Sequence, residues 1–262
     1  MHEAALAIGQ KLGDRDGTAW AYLHLGAVAS REGNYPQAWI LMENAQDIYC
    51  HLGNKLGNYL ALSQMGKTAL AQGDAQHAEA IFAEVLAITR EVGDLSQIAS
   101  ALTSLGRAAF DQNDFECASQ RYSEALETVR KNEDYPAITR ALRGLAEVNR
   151  ARGDLATALR VHKEALQAIS ETADQREIFL SLETLAGLAL DLGQLQQAVR
   201  LFAATQERYE LIRFSFSARH RAIHTEKVSS LKNQLGEAAF SEAWSQGQKL
   251  FLDQAIEEAL KL

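Results

Sequence analysis

Few residues of this chain have the types and spacing that metal binding requires. His220 and His224 are four residues apart, the spacing that places two imidazoles on one face of a helix, as in a zinc site. However, Arg219 and Arg221 flank His220, and no glutamate follows it in the HExxH pattern. We therefore predict no metal site and interpret residues 213–227 as a solvated basic helix face.

Nucleotide chemistry and nucleophilic catalysis have no motif in this sequence. There is no GxxxxGK[ST] loop whose backbone could hold the phosphates of a nucleotide. Cys50 and Cys117 lack the CxxC spacing of redox sites, so we expect two reduced thiols. The carboxylates fall at turns and on outer helix faces, where they support the starts of helices. We predict that the protein is not an enzyme, has no catalytic residues and needs no cofactor.

The composition favours helices in an acidic protein. Of 262 residues, 47% are hydrophobic and only 7% aromatic, and alanine and leucine dominate the apolar set. The formal charge of −8 argues against a dedicated nucleic-acid binder and against a polybasic membrane anchor. No apolar run approaches the ~20 residues of a membrane span, and the start lacks the features of a signal peptide. We expect a cytoplasmic protein with no membrane contact and no direct nucleic-acid contact.

The histidines, cysteines and carboxylates lie in a sequence that glycines divide into segments of equal length. The glycines of the series are Gly13, Gly33, Gly53, Gly73, Gly93, Gly153 and Gly193. Asp or Asn usually follows, and such a step ends one helix and caps the next. The series continues through Asn113, Glu133 and Ala173, where glycine is missing, and Ala173 lies outside the residues described below. Because apolar residues recur at helical spacing between these turns, each segment predicts one helix.

Two consecutive segments form one repeat, with small residues where two helices must touch. The contact position of the first helix reads Gly26, Gly66, Gly106, Ala146 and Ala186. The start of the second helix reads Ala38, Ala78, Ala118, Ala158 and Ala198. Because the side chains at the contact set the distance between packed helices, these columns predict close helix pairs.

These columns resemble the tetratricopeptide repeat (TPR), which has a large residue, a Leu-Gly step and small residues across a helix-turn-helix pair. Tyr22, Leu25, Gly26 and Ala29 show the pattern in the first full repeat. The resemblance implies an all-α fold, a right-handed α-solenoid or TPR superhelix. It divides the array at residues 1–210 into an orphan helix at 3–12 and repeats at about 17–52, 57–92, 97–132, 137–172 and 177–210.

Two further features resemble one group of bacterial proteins. The period of 40, longer than the usual one of about 34, is similar to the repeats of regulators of the maltose-activator type. The run from Leu235 to Phe240, followed by Ala243 and Trp244, resembles the closing segment of LuxR-like signal-transducing ATPase regulators. We therefore expect a helical cap at residues 211–262. The resemblance also implies that this chain is the sensor arm of a larger bacterial regulator whose ATPase module lies outside this sequence.

The resemblance implies that first helices line the concave face of such a solenoid. The candidate ligand- or partner-binding residues on this face are Lys67, Thr103, Arg107, Arg140, Arg143, Glu147, Arg150 and Glu183. Basic residues inside the groove of an acidic protein favour an anionic guest, such as an acidic peptide, a carboxylate or a phosphate.

A ladder of salt bridges is the alternative interpretation of these charges. Arg107 and Glu147 occupy the same column in adjacent repeats, and so do Arg143 and Glu183. Both arginines are then neutralised by neighbours, and the sequence leaves the two interpretations open.

Arg140 and Arg150 have no carboxylate in the same column of an adjacent repeat. We therefore expect these two arginines to be available to a guest, together with Lys67. The leading functional hypothesis is a non-catalytic binding arm that recognises a protein, a peptide or a small anionic effector. A self-association module that forms a homo-oligomer and a small-molecule sensor, like the sugar-binding arm of the maltose-type regulators, stay open as alternatives.

The fourth repeat has polar residues in two core columns. Asn149 stands where other repeats have alanine, and His162 stands where they have a large apolar residue. Because a buried unpaired polar group costs ~1 to 3 kcal/mol, we predict a hydrogen bond between the two side chains.

Overall fold

The computed structural model describes the backbone of residues 2–170, 172, 174–212 and 218–262, and their side chains except at 2, 3, 5, 207–212 and 218–220. These residues form fourteen helices and no strand, so the predicted all-α class is confirmed. The helices are α1 (His2–Leu12), α2 (Arg15–Arg31), α3 (Tyr35–His51), α4 (Lys55–Gln72), α5 (Ala75–Val92), α6 (Leu95–Asp111), α7 (Phe115–Arg130), α8 (Tyr135–Ala151), α9 (Leu155–Ser170), α10 (Gln175–Asp191), α11 (Leu195–Ile212), α12 (Ala218–Leu235), α13 (Glu237–Gly247) and α14 (Leu252–Leu260). No helix among the described residues is long and apolar enough to cross a membrane.

Backbone conformation explains the regular helix ends. Gly73 ends α4 with φ of 86°, in the left-handed region that glycine tolerates best. Asn113 and Glu133, the predicted substitutes for glycine, also have positive φ of 62° and 52°. The next residue then caps the following helix, as when Asp74 accepts a hydrogen bond of 3.1 Å from the backbone N–H of His77. Local signals alone therefore set where most helices stop and start.

The chain divides into two compact units, Met1–Arg121 and Tyr122–Leu262, which we call unit 1 and unit 2. In unit 1 the helix pairs pack through the predicted small residues. A Cβ on Gly66 would lie 2.6 Å from the Phe82 ring, and a Cβ on Gly26 would lie 2.8 Å from Cγ of Met42. Both distances are too short for real side chains, so glycine permits this separation of the paired helices.

In unit 2 the repeat helices share one core with the C-terminal helices. Leu185 and Phe202 of the repeats are fully buried together with Leu231 of α12 and Ala259 of α14. Gly247, at the end of α13, lies so close to α11 that an added Cβ would be 2.7 Å from Cβ of Ala203. The described residues of α12, α13 and α14 thus pack against the last repeat helices, and the capping role of residues 211–262 and the boundary near residue 210 stay predictions.

The polar core residues of the fourth repeat do not bond to each other, so that prediction is wrong. Nδ2 of Asn149 donates to the carbonyl oxygen of Leu145 at 2.8 Å. Nε2 of the fully buried His162 lies 3.0 Å from the carbonyl oxygen of Ser181 and must carry the proton, because a carbonyl only accepts. Nδ1 of His162 has no hydrogen-bond partner among the described residues. Each polar group therefore uses a backbone carbonyl as its partner.

The environment of His162 keeps its ring neutral. Burial is the main reason that the pKa of His162 falls from 6.5 to about 3, and the charge of Arg143 lowers it further. The hydrogen bond to Ser181 opposes this shift but does not cancel it.

We predict that His162→Phe removes part of the acid sensitivity of folding. Because the folded pKa lies below the unfolded one, the unfolded chain binds the proton first, so stability is lost as the pH falls from 6.5 towards 3. This loss is about 1 kcal/mol at pH 5.5 relative to pH 7.5, and the Phe variant lacks it. Urea unfolding at the two pH values measures the difference. The exposed His51→Phe serves as the control, and equal pH slopes for all three proteins contradict the prediction.

Candidate functional site

The predicted binding residues lie on the first helices of the repeats. These helices touch one another, α2 with α4 and α4 with α6 in unit 1, and α8 with α10 in unit 2. Lys67, Thr103 and Arg107 lie in unit 1. Trp20 and Leu60 of this unit share the column of Arg140, and Phe110 shares that of Arg150, and we call these six residues the unit-1 face. The other five lie in unit 2, and together with Gly187 they form the unit-2 face, which comprises Arg140, Arg143, Glu147, Arg150, Gly187 and Glu183.

The unit-1 face combines exposed apolar groups with cations. Trp20 is 46% exposed and Leu60 is 40% exposed, although both are large apolar residues and neither lies at an end of its helix. Lys67 is exposed and Thr103 is half-buried. Such exposed apolar groups beside charged ones are typical of binding surfaces.

Arg107 is held in place by its own helix. Its Nε lies 3.2 Å from both carboxylate oxygens of Asp111, one turn later. Its guanidinium carbon lies 5.6 Å from the centroid of the Phe110 ring, within cation–π range. The predicted contact of Arg107 with Glu147 would join the two units and stays a prediction.

On the unit-2 face, the arginines have partners that the same-column rule did not identify. Nη1 of Arg143 lies 2.7 Å from Oε2 of Glu177, in an ion pair without hydrogen-bond alignment. Arg150 forms an ion pair with Asp191, so the prediction that Arg150 is available to a guest is wrong. Arg140 is half-buried and has no ion pair among the described residues.

Glu183 binds a residue from the C-terminal part of unit 2. Its Oε1 lies 2.6 Å from Nδ1 of His224 on α12, and both side chains are at least nine-tenths buried. The His224 ring also meets the Phe202 ring edge-on, with centroids 5.5 Å apart. His224 therefore contacts two residues of the repeats, Glu183 and Phe202. His220 lies outside the residues with described side chains, and the described residues contain no cluster of three metal-ligating side chains.

Lys227, one turn after His224, also reaches the unit-2 face. Its Nζ lies 2.7 Å from the position that a Cβ on Gly187 would occupy. Burial is the main cause that lowers the pKa of Lys227, and the charge of Arg150 adds to it, whereas Glu183, Asp191 and Glu147 raise it. The ammonium group of Lys227 therefore lies against Gly187 of the unit-2 face.

The interpretation of residues 213–227 as a solvated basic face is wrong for the described side chains of His224 and Lys227. The sequence held one signal of this arrangement. His224, Val228, Leu231 and Leu235 are spaced by three or four residues, which places them on one side of a helix. Leu231 is fully buried, and Val228 and Leu235 pack against the same core.

Paired helices with small residues at their contacts, stacked through their first helices, define the protein as a tetratricopeptide-repeat protein of the helical-solenoid fold. Within this class, the chain belongs to the MalT-like TPR region family, whose model matches residues 53–253. No curated protein matches the sequence.

Solved structures of low sequence identity share the fold. BtubC (BKLC) from P. vanneervenii has a TM-score of 0.61 and 17% identity over 82% of this chain and 89% of that chain. Aspartyl phosphate phosphatase F from Bacillus subtilis has a TM-score of 0.63 and 13% identity over 98% and 72%. The Rap conjugation gene regulator of the plasmid pLS20, in complex with the Phr* peptide, has a TM-score of 0.68 and 15% identity over 96% and 77%.

We predict that the ion pair of Arg143 and Glu177 matters mainly because each charge is buried. Glu177→Leu strands the Arg143 charge and should cost about 3 kcal/mol of unfolding free energy, whereas Arg143→Met with Glu177→Leu should stay within about 1 kcal/mol of wild type. Chemical denaturation of the four proteins in this double-mutant cycle gives the coupling.

The exposed ion pair of Lys55 and Glu91 provides the matched control cycle, in which each single change should cost less than about 1 kcal/mol. Equal losses in the two cycles contradict the buried-charge explanation.

Proposed function

We propose that the protein is the non-catalytic binding arm of a larger cytoplasmic, bacterial, ATP-dependent regulator of transcription or signalling. Membership of the MalT-like TPR region family supports this role. A solved protein of the same fold in complex with a peptide supports a peptide or protein segment as the guest. The ATPase module is expected outside this sequence.

The unit-1 face is the proposed guest site. The observation that carries this proposal is the exposure of Trp20 and Leu60, at equivalent places of two repeats, beside Lys67 and Arg107. A large exposed aromatic residue is the type of side chain that dominates binding energy at interfaces, and the positive charge of the exposed Lys67 favours acidic residues on the guest. We therefore propose a guest with alternating apolar and acidic side chains.

A guest that contacts α2, α4 and α6 together has a simple way to act. It stabilises the arrangement of these helices that it binds best, and its differential affinity for two arrangements supplies the energy of switching. The proposed ATPase module, in contact with the arm, then responds to whether a guest is bound on the unit-1 face.

We predict that Trp20→Ala with Lys67→Glu weakens binding of a fluorescent peptide of leucine, phenylalanine and glutamate residues at least tenfold, about 1.4 kcal/mol. The first change removes the aromatic anchor and the second places a repelling charge on the face. Leu56→Ala with Lys55→Glu is the matched control, because it makes similar changes at exposed positions of α4 outside the unit-1 face. Fluorescence anisotropy measures the affinity, and equal binding to both double variants contradicts the proposed site.

Self-association is the second candidate, and a separate surface of unit 1 favours it. Leu12, Leu52 and Val92 occupy the same position in successive repeats and are 75%, 43% and 55% exposed. Equivalent positions of stacked repeats lie in a row, so these residues form an apolar stripe at the turns.

If this stripe joins two copies, Leu12→Asp with Val92→Asp should convert a concentration-dependent mass to that of a monomer of 28.8 kDa. Sedimentation equilibrium measures the mass, and the Trp20→Ala, Lys67→Glu variant should still associate. A wild-type protein that is monomeric at all concentrations excludes this candidate.

A further inference from the structure

The unit-2 face carries a helix of its own chain. α12 reaches it through the buried contact of His224 with Glu183 and through Lys227, which lies against Gly187. The opposite side of α12 is polar and exposed at Thr225, Glu226, Ser229 and Lys232. The helix is therefore amphipathic. The side chains of its inward side are the ones that contact the first-helix columns of the unit-2 face.

The contacts of α12 divide into two halves of different chemistry. The C-terminal half is fixed by Leu231, which is fully buried in the core of unit 2. In the N-terminal half, residues 221–228, His224 and Lys227 meet the unit-2 face, and Val228 at the end of this stretch packs against the core. Charged groups lose their hydration when they are buried, so such contacts give more specificity than stability. A competitor with the same chemistry can therefore replace this half.

We infer that the unit-2 face is a second binding surface, specific for an amphipathic helix with a histidine and a lysine one turn apart, and that the N-terminal half of α12 is its exchangeable internal ligand. Glu183 receives the histidine, and Gly187 leaves space for the lysine. The partner is a basic amphipathic helix of another protein that displaces residues 221–228. This inference concerns unit 2 and does not depend on the guest proposed for the unit-1 face.

The chemistry of this surface differs from the sequence-based expectation of an anionic guest. Of the three arginines of this face that suggested an anion, Arg143 pairs with Glu177 and Arg150 with Asp191, whereas Arg140 has no ion pair among the described residues. The group that enters the face is the cation Lys227. Charge complementarity therefore selects a basic partner here.

The test uses the full chain and a release variant, His224→Ala with Lys227→Glu. The glutamate would lie beside Glu183, Asp191 and Glu147, so like charges should expel the N-terminal half of α12. Thr225→Ala with Lys232→Glu is the matched control, because it makes the same change of charge on the exposed side of the same helix. Hydrogen exchange should be at least tenfold faster at residues 221–228 in the release variant only, with α8 and α10 unchanged.

Binding in trans then tests whether the uncovered face is a ligand surface. The probe is a fluorescent synthetic peptide with the sequence of residues 218–228, the part of α12 that the release variant frees. It should bind the release variant at least tenfold more tightly than the wild type or the control variant, whose own α12 covers the face. The same peptide with the Lys227→Glu change should not bind.

A charge swap keeps the proposal testable if the first variant folds poorly. Glu183→Lys should also release α12 and should bind a peptide that carries His224→Glu in preference to the unchanged peptide. A released α12 with no peptide binding overturns the inference, because α12 is then only a structural segment. Unchanged exchange in both variants, or global unfolding of both in circular dichroism, overturns it as well, because the helix is then not exchangeable.

Discussion

The close approach of two helices at a small residue is the constraint on which the rest of the structure depends. At Gly66 the ring of Phe82 occupies the space that a side chain would need, and at Gly26 the side chain of Met42 does the same. The other sides of these paired helices are then available to pack against the helices of neighbouring repeats. Successive first helices then meet each other, as α2 meets α4 and α8 meets α10, and so present the same columns side by side. Both first-helix faces follow from this repeated contact.

The cost of burying charge explains why the two faces differ. The unit-2 face is rich in ionic groups, and a charge removed from water must find a partner. Arg143, Arg150 and Glu183 each have one, from α10 or from α12. On the unit-1 face, Trp20 and Leu60 are exposed and Lys67 remains at the surface. One repeat architecture thus supports an ionic face that a helix of the chain covers and an apolar face with cations at its side.

The partners of the arginines show where reasoning from repeat columns stops. A same-column rule pairs Arg143 with Glu183, but its partner is Glu177. Arg150 likewise meets Asp191, the neighbour of its same-column residue. Long side chains reach neighbouring columns, because the direction of each side chain and the stagger between helices decide which groups touch. The same limit explains why His162 bonds to a backbone carbonyl, so column reasoning identified polar positions but not their partners.

The sequence by itself determined the helices, their ends and their pairing, because these depend on neighbours within a few residues. The turns at Asn113 and Glu133, predicted from the regular spacing without glycine, have the expected positive φ. Tertiary structure alone decided that α12 lies on the unit-2 face, where His224 is buried and Lys227 is half-buried. The contact of His224 with Glu183 joins residues that are 41 positions apart in the chain, and α12 is not one of the repeat helices whose columns the sequence shows. Burial and charge pairing over such separations depend on how whole helices pack. The spacing of His224, Val228 and Leu231 indicates which side of α12 is buried but not which helix it meets.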